Sequence, residues 1–240
     1  MSTTSSTWPR QVRLSGQVAT PEGPIDLTIM FVMHHAFRRD LDLFAAGVRG
    51  TPVQQRRTWR LLADRWDVFA EAIREHHGVE DAAVWPTLVE RGTPQDVATL
   101  AAMEVEHREL DPLLQSCGAG FRRLAERPDE DARAALAVRV LAARESLRRH
   151  LEHEETDALE IVQRLLTREE WERIVEQHAN PTDAPRAKIL RLVPWAAYGV
   201  PRDALDRVFA GPGGRGLRLV WWLRRRRFGR LHAQTFRYAA

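Results

Sequence analysis

One cysteine, Cys117, is the whole thiol complement of this 240-residue chain, which excludes an intrachain disulfide and suits a reducing compartment. No apolar run approaches the roughly 18–20 residues of a spanning helix. The opening MSTTSSTWPRQVRLSG lacks the apolar stretch of a secretory signal, so a cytoplasmic protein is expected. Period-two alternation and clusters of β-branched residues are missing too, and with them the signal for a sheet. What is present, 44% hydrophobic and 29% charged residues, excludes disorder and suffices for a core.

The formal net charge of +3 conceals a division. Residues 1–183 hold 23 Lys and Arg against 31 Asp and Glu, a net of −8; residues 184–240 hold 13 against 2, a net of +11. Two parts with different surfaces are implied. Residues 1–25, rich in Ser, Thr, Gly and Pro, read as a mobile or loosely docked arm. Residues 26–183 read as the main domain, and residues 184–240 as a basic helical extension without a core of its own.

Four amphipathic stretches fill the main domain. Behind a cap at Asp26, Leu27, Met30, Phe37, Leu41, Phe44 and Val48 recur in steps of three and four, with a gap at 34. A second stripe carries Trp59, Leu62, Trp66, Phe69 and Ile73 and continues through Val84 and Leu88. A third runs from a cap at Thr93 through Leu100, Met103, Leu110, Leu114, Cys117 and Phe121. The fourth has Leu136, Val140, Ala143, Leu147, Ala158, Ile161 and Leu165, with another cap at Thr167. Short breaks separate them, so the fold class is all-α: an up-down-up-down four-helix bundle followed by short helices cut by Pro and Gly.

Polar residues interrupt these stripes. In EHHGVEDAAVWP (75–86) the second stripe extrapolates to His76 and Glu80, leaving His77 and Asp81 about 100° around the helix, near its edge. In RHLEHEETD (149–157) the fourth stripe reaches His150 and Glu154, with His153 to one side. The gap at 34 turns His34 inward and His35 away, and the third stripe passes through His107. At roughly 1.5 Å per residue, His34, His76, Glu80, His107, His150 and Glu154 fall within about one to two turns of a common level in an antiparallel bundle. Burying two carboxylates with four imidazoles needs compensation, and a metal supplies it. Six donors suit two ions with bridging carboxylates, while Asp81 or Asp157 is placed to orient a ligating imidazole through its other nitrogen.

With MHHAFRRDL (33–41), HHGVEDAAVWPTL (76–88), MEVEHRELDPLL (103–114) and HLEHEE (150–155), the chain resembles the hemerythrin-like, or HHE cation-binding, family over about residues 26–166. The resemblance implies a bundle holding two non-haem iron ions, bridged by carboxylates and an oxo or hydroxo group, on those same six residues. Zinc or manganese are the alternative occupants. Oxygen carriers of the family have HxxxH in the third helix, where this chain has Met103 four residues before His107. They also place an aspartate at i+5 in the fourth helix, where this chain has Glu154 at i+4. The pattern is therefore closer to bacterial hemerythrin-like proteins and to the iron- and oxygen-sensing members.

Three functions are expected from this reading. The first is binding of, or reaction with, O2, NO or hydrogen peroxide in a dry pocket lined by Phe37, Phe69, Met103 and Leu147. The second is a metal or redox sensor that signals through the basic extension, and the third is metal storage without chemistry. No nucleic acid is expected as a partner. In LRLVWWLRRRRFGRL (217–231) the apolar residues are expected to dock on the bundle while Arg224–Arg227 meet its acidic surface, with a membrane surface as the other reading.

Overall fold

A computed structural model describes residues 8–179, 185–211 and 213–239. Residues 1–7 of the arm and the expected boundary at 183/184 lie outside these. All regular structure among the described residues is helical. Helix α1 spans Thr28–Gly50 and α2 spans Arg56–Val79; a π-helical turn, Glu80–Val84, carries α2 into α3, Trp85–Val89. Helix α4 runs Pro94–Glu126 and α5 Glu130–His153; a second π-helical turn, Glu154–Ala158, leads into α6, Leu159–Leu165. Then come α7 (Arg168–Ile174), α8 (Arg186–Ala197), α9 (Arg202–Val208) and α10 (Gly214–Thr235).

Local chemistry sets the helix starts. Thr93 accepts from the Asp96 N–H while Asp96 accepts from the Thr93 N–H, and Thr167 and Glu170 repeat this reciprocal pair. The cap expected at Asp26 falls one residue later, on Leu27, which has no side-chain cap bond; Asp26 instead accepts from the Thr28 N–H at 2.9 Å. Apolar stripes then bring α1 against α5, α2 against α4 and α4 against α5. Helices α1 and α2 make few direct contacts with each other, and α8 lies over both.

The core is in two pieces. One is built on Phe37, Phe44, Trp59, Trp66, Phe69 and Phe121; the other on Phe31, Trp85, Leu88, Leu100, Met103 and Leu159. On each long helix the break between them falls at the expected donors: Val32 to Ala36 in α1, Ile73 to Val84 after α2, Met103 to Leu110 in α4, Leu151 to Ala158 after α5.

Asp40, fully buried in α1, ties the extension to the bundle. It accepts two bonds from Arg65, at 2.5 and 3.1 Å, pairs with Arg39 at 2.8 Å, and accepts from the buried Trp195 indole of α8 at 2.8 Å. Arg39 also donates to the carbonyls of Trp195 and Tyr198. In the arm, Val12, Leu14 and Ile25 are buried, and the Val18 N–H donates to Glu155 at 2.9 Å.

The basic stretch departs from expectation. Helix α10 is one continuous helix, and only one side of it can face the protein: Leu217 and Phe228 are buried, whereas Trp222 and Leu223 are 61% and 60% exposed. The apolar residues of 217–231 therefore do not all dock, because helical periodicity divides them between two faces.

Replacing Asp40 strands a buried guanidinium and an indole N–H. Asp40→Ala is expected to lower unfolding stability by about 3–5 kcal/mol, whereas Asp42→Ala, which breaks an exposed pair with Arg144, changes it by less than about 1 kcal/mol. Urea denaturation followed by circular dichroism measures both; equal losses would deny Asp40 this role.

Candidate metal centre

All six expected donors meet in the polar layer between the two cores. His34 Nε2 lies 3.1 Å from Glu154 Oε2 and 3.3 Å from His76 Nε2. His76 Nε2 is 3.1 Å from Glu80 Oε1, whose other oxygen is 3.6 Å from His107 Nε2. Glu154 Oε2 is also 3.8 Å from His150 Nε2. Each glutamate thus spans two groups of imidazoles, Glu80 between His76 and His107 and Glu154 between His34 and His150. Of the three π-helical turns described, the third being Val175–Ala179 after α7, two begin at these glutamates: the Trp85 and Leu159 N–H groups reach back five residues to the carbonyls of Glu80 and Glu154. Such turns inside α-helices occur often at functional positions.

The layer is rich in buried polar atoms without hydrogen-bond partners: both carboxylate oxygens of Glu80 and of Glu154, and Nε2 of His77, His107 and His150. Leaving such atoms unpaired is costly, and cations held by these imidazoles and by Glu154 would relieve that cost. The outward-facing Nδ1 atoms, in contrast, are held. His34 Nδ1 is 2.9 Å from Glu155 Oε1, which Arg38 also contacts at 2.6 Å. His107 Nδ1 is 2.8 Å from Asp81, and Glu106 bridges Nδ1 of His150 and of His153, each at 2.9 Å. A carboxylate on Nδ1 fixes the ring with Nε2 pointing inward and makes it a better ligand. Two sets of three donors each lie close enough to hold an ion: His34, His76 and Glu154, and His77, His107 and His150. Glu80 adjoins both sets but belongs to neither. The donor chemistry fits a pair of cations.

The pattern of the hemerythrin HHE cation-binding domain matches residues 26–162. The chain belongs to this family. No curated protein and no solved structure matches it.

Against the family pattern, His77 is the surprise. Expected at the helix edge, it is 4% exposed, stacks on His107 with ring centroids 3.9 Å apart and planes at 4°, and joins the second donor set. From Ile73 a step of three reaches His76 and a step of four reaches His77. Both imidazoles turn inward, flanking the line of the stripe. His77 thus adds a fifth buried imidazole to the layer, beside the four expected. The other secondary residues fall nearer their expected places. Asp81, 40% exposed, supports His107; His153 reaches Glu106 and lies 3.5 Å from Asp157; and His35 does not join the donors. Glu155 and Glu106 went unrecognised, although each directly adjoins a donor in the sequence.

Burial and charge set the proton inventory of the cation-free layer. Burial alone would depress His34, but the Glu154 and Glu155 carboxylates outweigh it and raise the imidazole to about 9. Burial pushes His76 down to about 3 and His77 well below its ordinary value. Glu80 is raised well above the usual carboxylate range by burial and by Glu154, while Glu154 is lowered because His34 and its fellow imidazoles overcome burial. At neutral pH, therefore, His34 holds a proton that a cation must expel, and Glu80 binds its proton more tightly than an ordinary carboxyl does.

Metal affinity should then fall as pH drops from 8 to 6, and loading at pH 7 should release about one proton from His34. Calorimetry in buffers of differing ionisation enthalpy reads that number; zero would contradict the assignment of His34 as a ligand. His77→Asn should lower bound metal from two equivalents towards one in elemental analysis, with the helix content retained.

Proposed function

We propose that this hemerythrin-family chain holds two non-haem iron ions on His34, His76, Glu80, His107, His150 and Glu154, with His77 as a seventh donor, and binds or reacts with O2, NO or hydrogen peroxide. The observation that carries this reading is the set of buried carboxylate oxygens and imidazole nitrogens converging on one layer, in contact with one another but largely without hydrogen bonds. When bound, two neighbouring iron ions supply redox electrons and an exchangeable coordination position. The chain supplies the rest. Glu155, Asp81 and Glu106 orient the rings, and apolar cores flank the layer on either side, with the Phe37 ring 5.3 Å from that of His76. Imidazole and carboxylate ligands suit iron, manganese and zinc, so elemental analysis of aerobically produced protein comes first. Iron is expected, with a near-ultraviolet absorption that shifts on adding azide, NO or peroxide. Zinc in its place would favour storage, and an iron spectrum indifferent to all three additions would count against the oxidant reading.

A sensor is the second reading, favoured by one observation: α1 carries both His34 and Asp40, and Asp40 holds Trp195 of the extension. Cation loss that loosens His34 would reach α8 through a single helix. Limited proteolysis is expected to cut residues 184–240 faster in the iron-free protein; identical cleavage in both states would remove this reading.

A further inference from the structure

A half-open chamber of about 540 Å³ lies between α1 and α2 on one side and α7 to α10 on the other. Its size falls in the range of about 300–1,000 Å³ typical of small-molecule sites, and O2, NO or peroxide would occupy only a fraction of it. The walls are chiefly hydrocarbon and aromatic, with Met30 and Met33 from α1, Trp171 from α7, Leu205 from α9 and Leu217 from α10. Polar groups stand at three places, one of them Gln177 in the turn after α7. His76 and Glu80, members of the donor layer, reach the chamber wall, and Lys188, which is paired with Glu75, also faces it. Gly78 lies on the wall as well, solvent-exposed in the last turn of α2, and a Cβ built there would meet no atom within 4 Å. A bare glycine inside a helix costs about 1 kcal/mol relative to alanine, and here it leaves the space beside the donor layer unfilled.

We propose that this chamber, built by the extension against the donor layer, binds an amphiphile with a hydrocarbon body and one oxygen-bearing end directed at His76 and Glu80. Hydrocarbon binding stands on the chamber walls; only the orientation of the polar end rests on the metal-centre reading. A body buried in such walls gains affinity with length, about fourfold per methylene, until the space is filled. The extension thereby gains a role that the donor layer does not need: it converts a side of the bundle that α1 and α2 leave thinly closed into a selective compartment.

The test is calorimetric titration of the full chain, iron-loaded and iron-free, with straight-chain alcohols from hexanol to decanol and with decanoate. Saturable one-to-one binding is expected, tightening steeply with chain length. Gly78→Trp and Val208→Trp, which fill the chamber from opposite walls, should each weaken decanol at least tenfold while leaving helix content and metal content intact. Iron loading should tighten decanoate at least tenfold and decanol little. Flat chain-length dependence, or both variants binding decanol as the parent does, would overturn the site. Decanoate binding equally with and without iron would overturn the orientation. A chain found to carry no metal, yet still binding decanol, would fail the metal-centre reading and leave the chamber standing.

A different observation carries a second inference. Arg215, Leu219, Trp222, Leu223, Arg226 and Arg230 are all exposed and, at about 100° per residue, share one side of α10. Apolar residues flanked by arginines along one helix face match the interface of an anionic bilayer, and no described helix is long and apolar enough to cross one. We infer that this face rests on an anionic lipid surface. The protein is expected to sediment with vesicles containing phosphatidylglycerol and not with pure phosphatidylcholine, to be released by salt, and to lose at least tenfold in partitioning as Trp222→Ala with Leu223→Ala. No sedimentation at low salt would overturn it, as would retention of polyuridylate under conditions where the vesicles are ignored.

Discussion

Placing ionisable groups inside an apolar bundle is the constraint around which the rest of this molecule is arranged. Each buried carboxylate or charged imidazole loses solvation worth several kcal/mol, and only pairing, hydrogen bonding or a cation restores it. The fold meets this demand by gathering the groups at one level, so that two glutamates and five imidazoles face one another. It anchors the outward nitrogens of His34, His107 and His150 on Glu155, Asp81 and Glu106. The hydrophobic core is divided by this layer, and most of the buried unpaired polar atoms lie in the layer, with the Trp85 indole nitrogen in the second core an exception.

The π-helical turns at Glu80 and Glu154 belong to the same solution. A fifth residue in the turn widens the helix at Glu80 and at Glu154 and re-aims the segment beyond it, so Val84, Trp85 and Leu88, like Ala158, Leu159 and Val162, still reach the second core. The corresponding turns on α2 and α5 give the layer an approximate internal symmetry: His76 with Glu80 on one side, His150 with Glu154 on the other. The extension serves a separate purpose. Its anchor, Trp195 on Asp40, lies on the α1 side, where the bundle is most open, and from there α8 to α10 enclose apolar space next to His76.

Much of this was legible from residue order alone. Steps of three and four placed the four long helices, because burying one side of a helix demands that spacing. Thr93 and Thr167 marked starts, because a threonine followed by an acid three residues on can satisfy the first free N–H groups. The six donors were readable because an apolar stripe makes any polar interruption conspicuous. His77 was not, since a stripe that advances by three or four leaves both 76 and 77 open, and only the packing of α4 and α5 decides that both turn inward. Glu106 and Glu155 sit off the stripes, where a charge is ordinary and carries no signal.

By itself, then, the sequence determined the helical class, the bundle and the level of the polar layer, since these depend on periodicity and rise along single helices. Tertiary structure alone decided which donors share a centre, which carboxylate supports which ring, which side of α10 is exposed, and that the extension encloses a chamber. Those properties depend on distances between residues far apart in the chain, such as His34 to Glu155 and Asp40 to Trp195, and no local pattern encodes a distance of that kind.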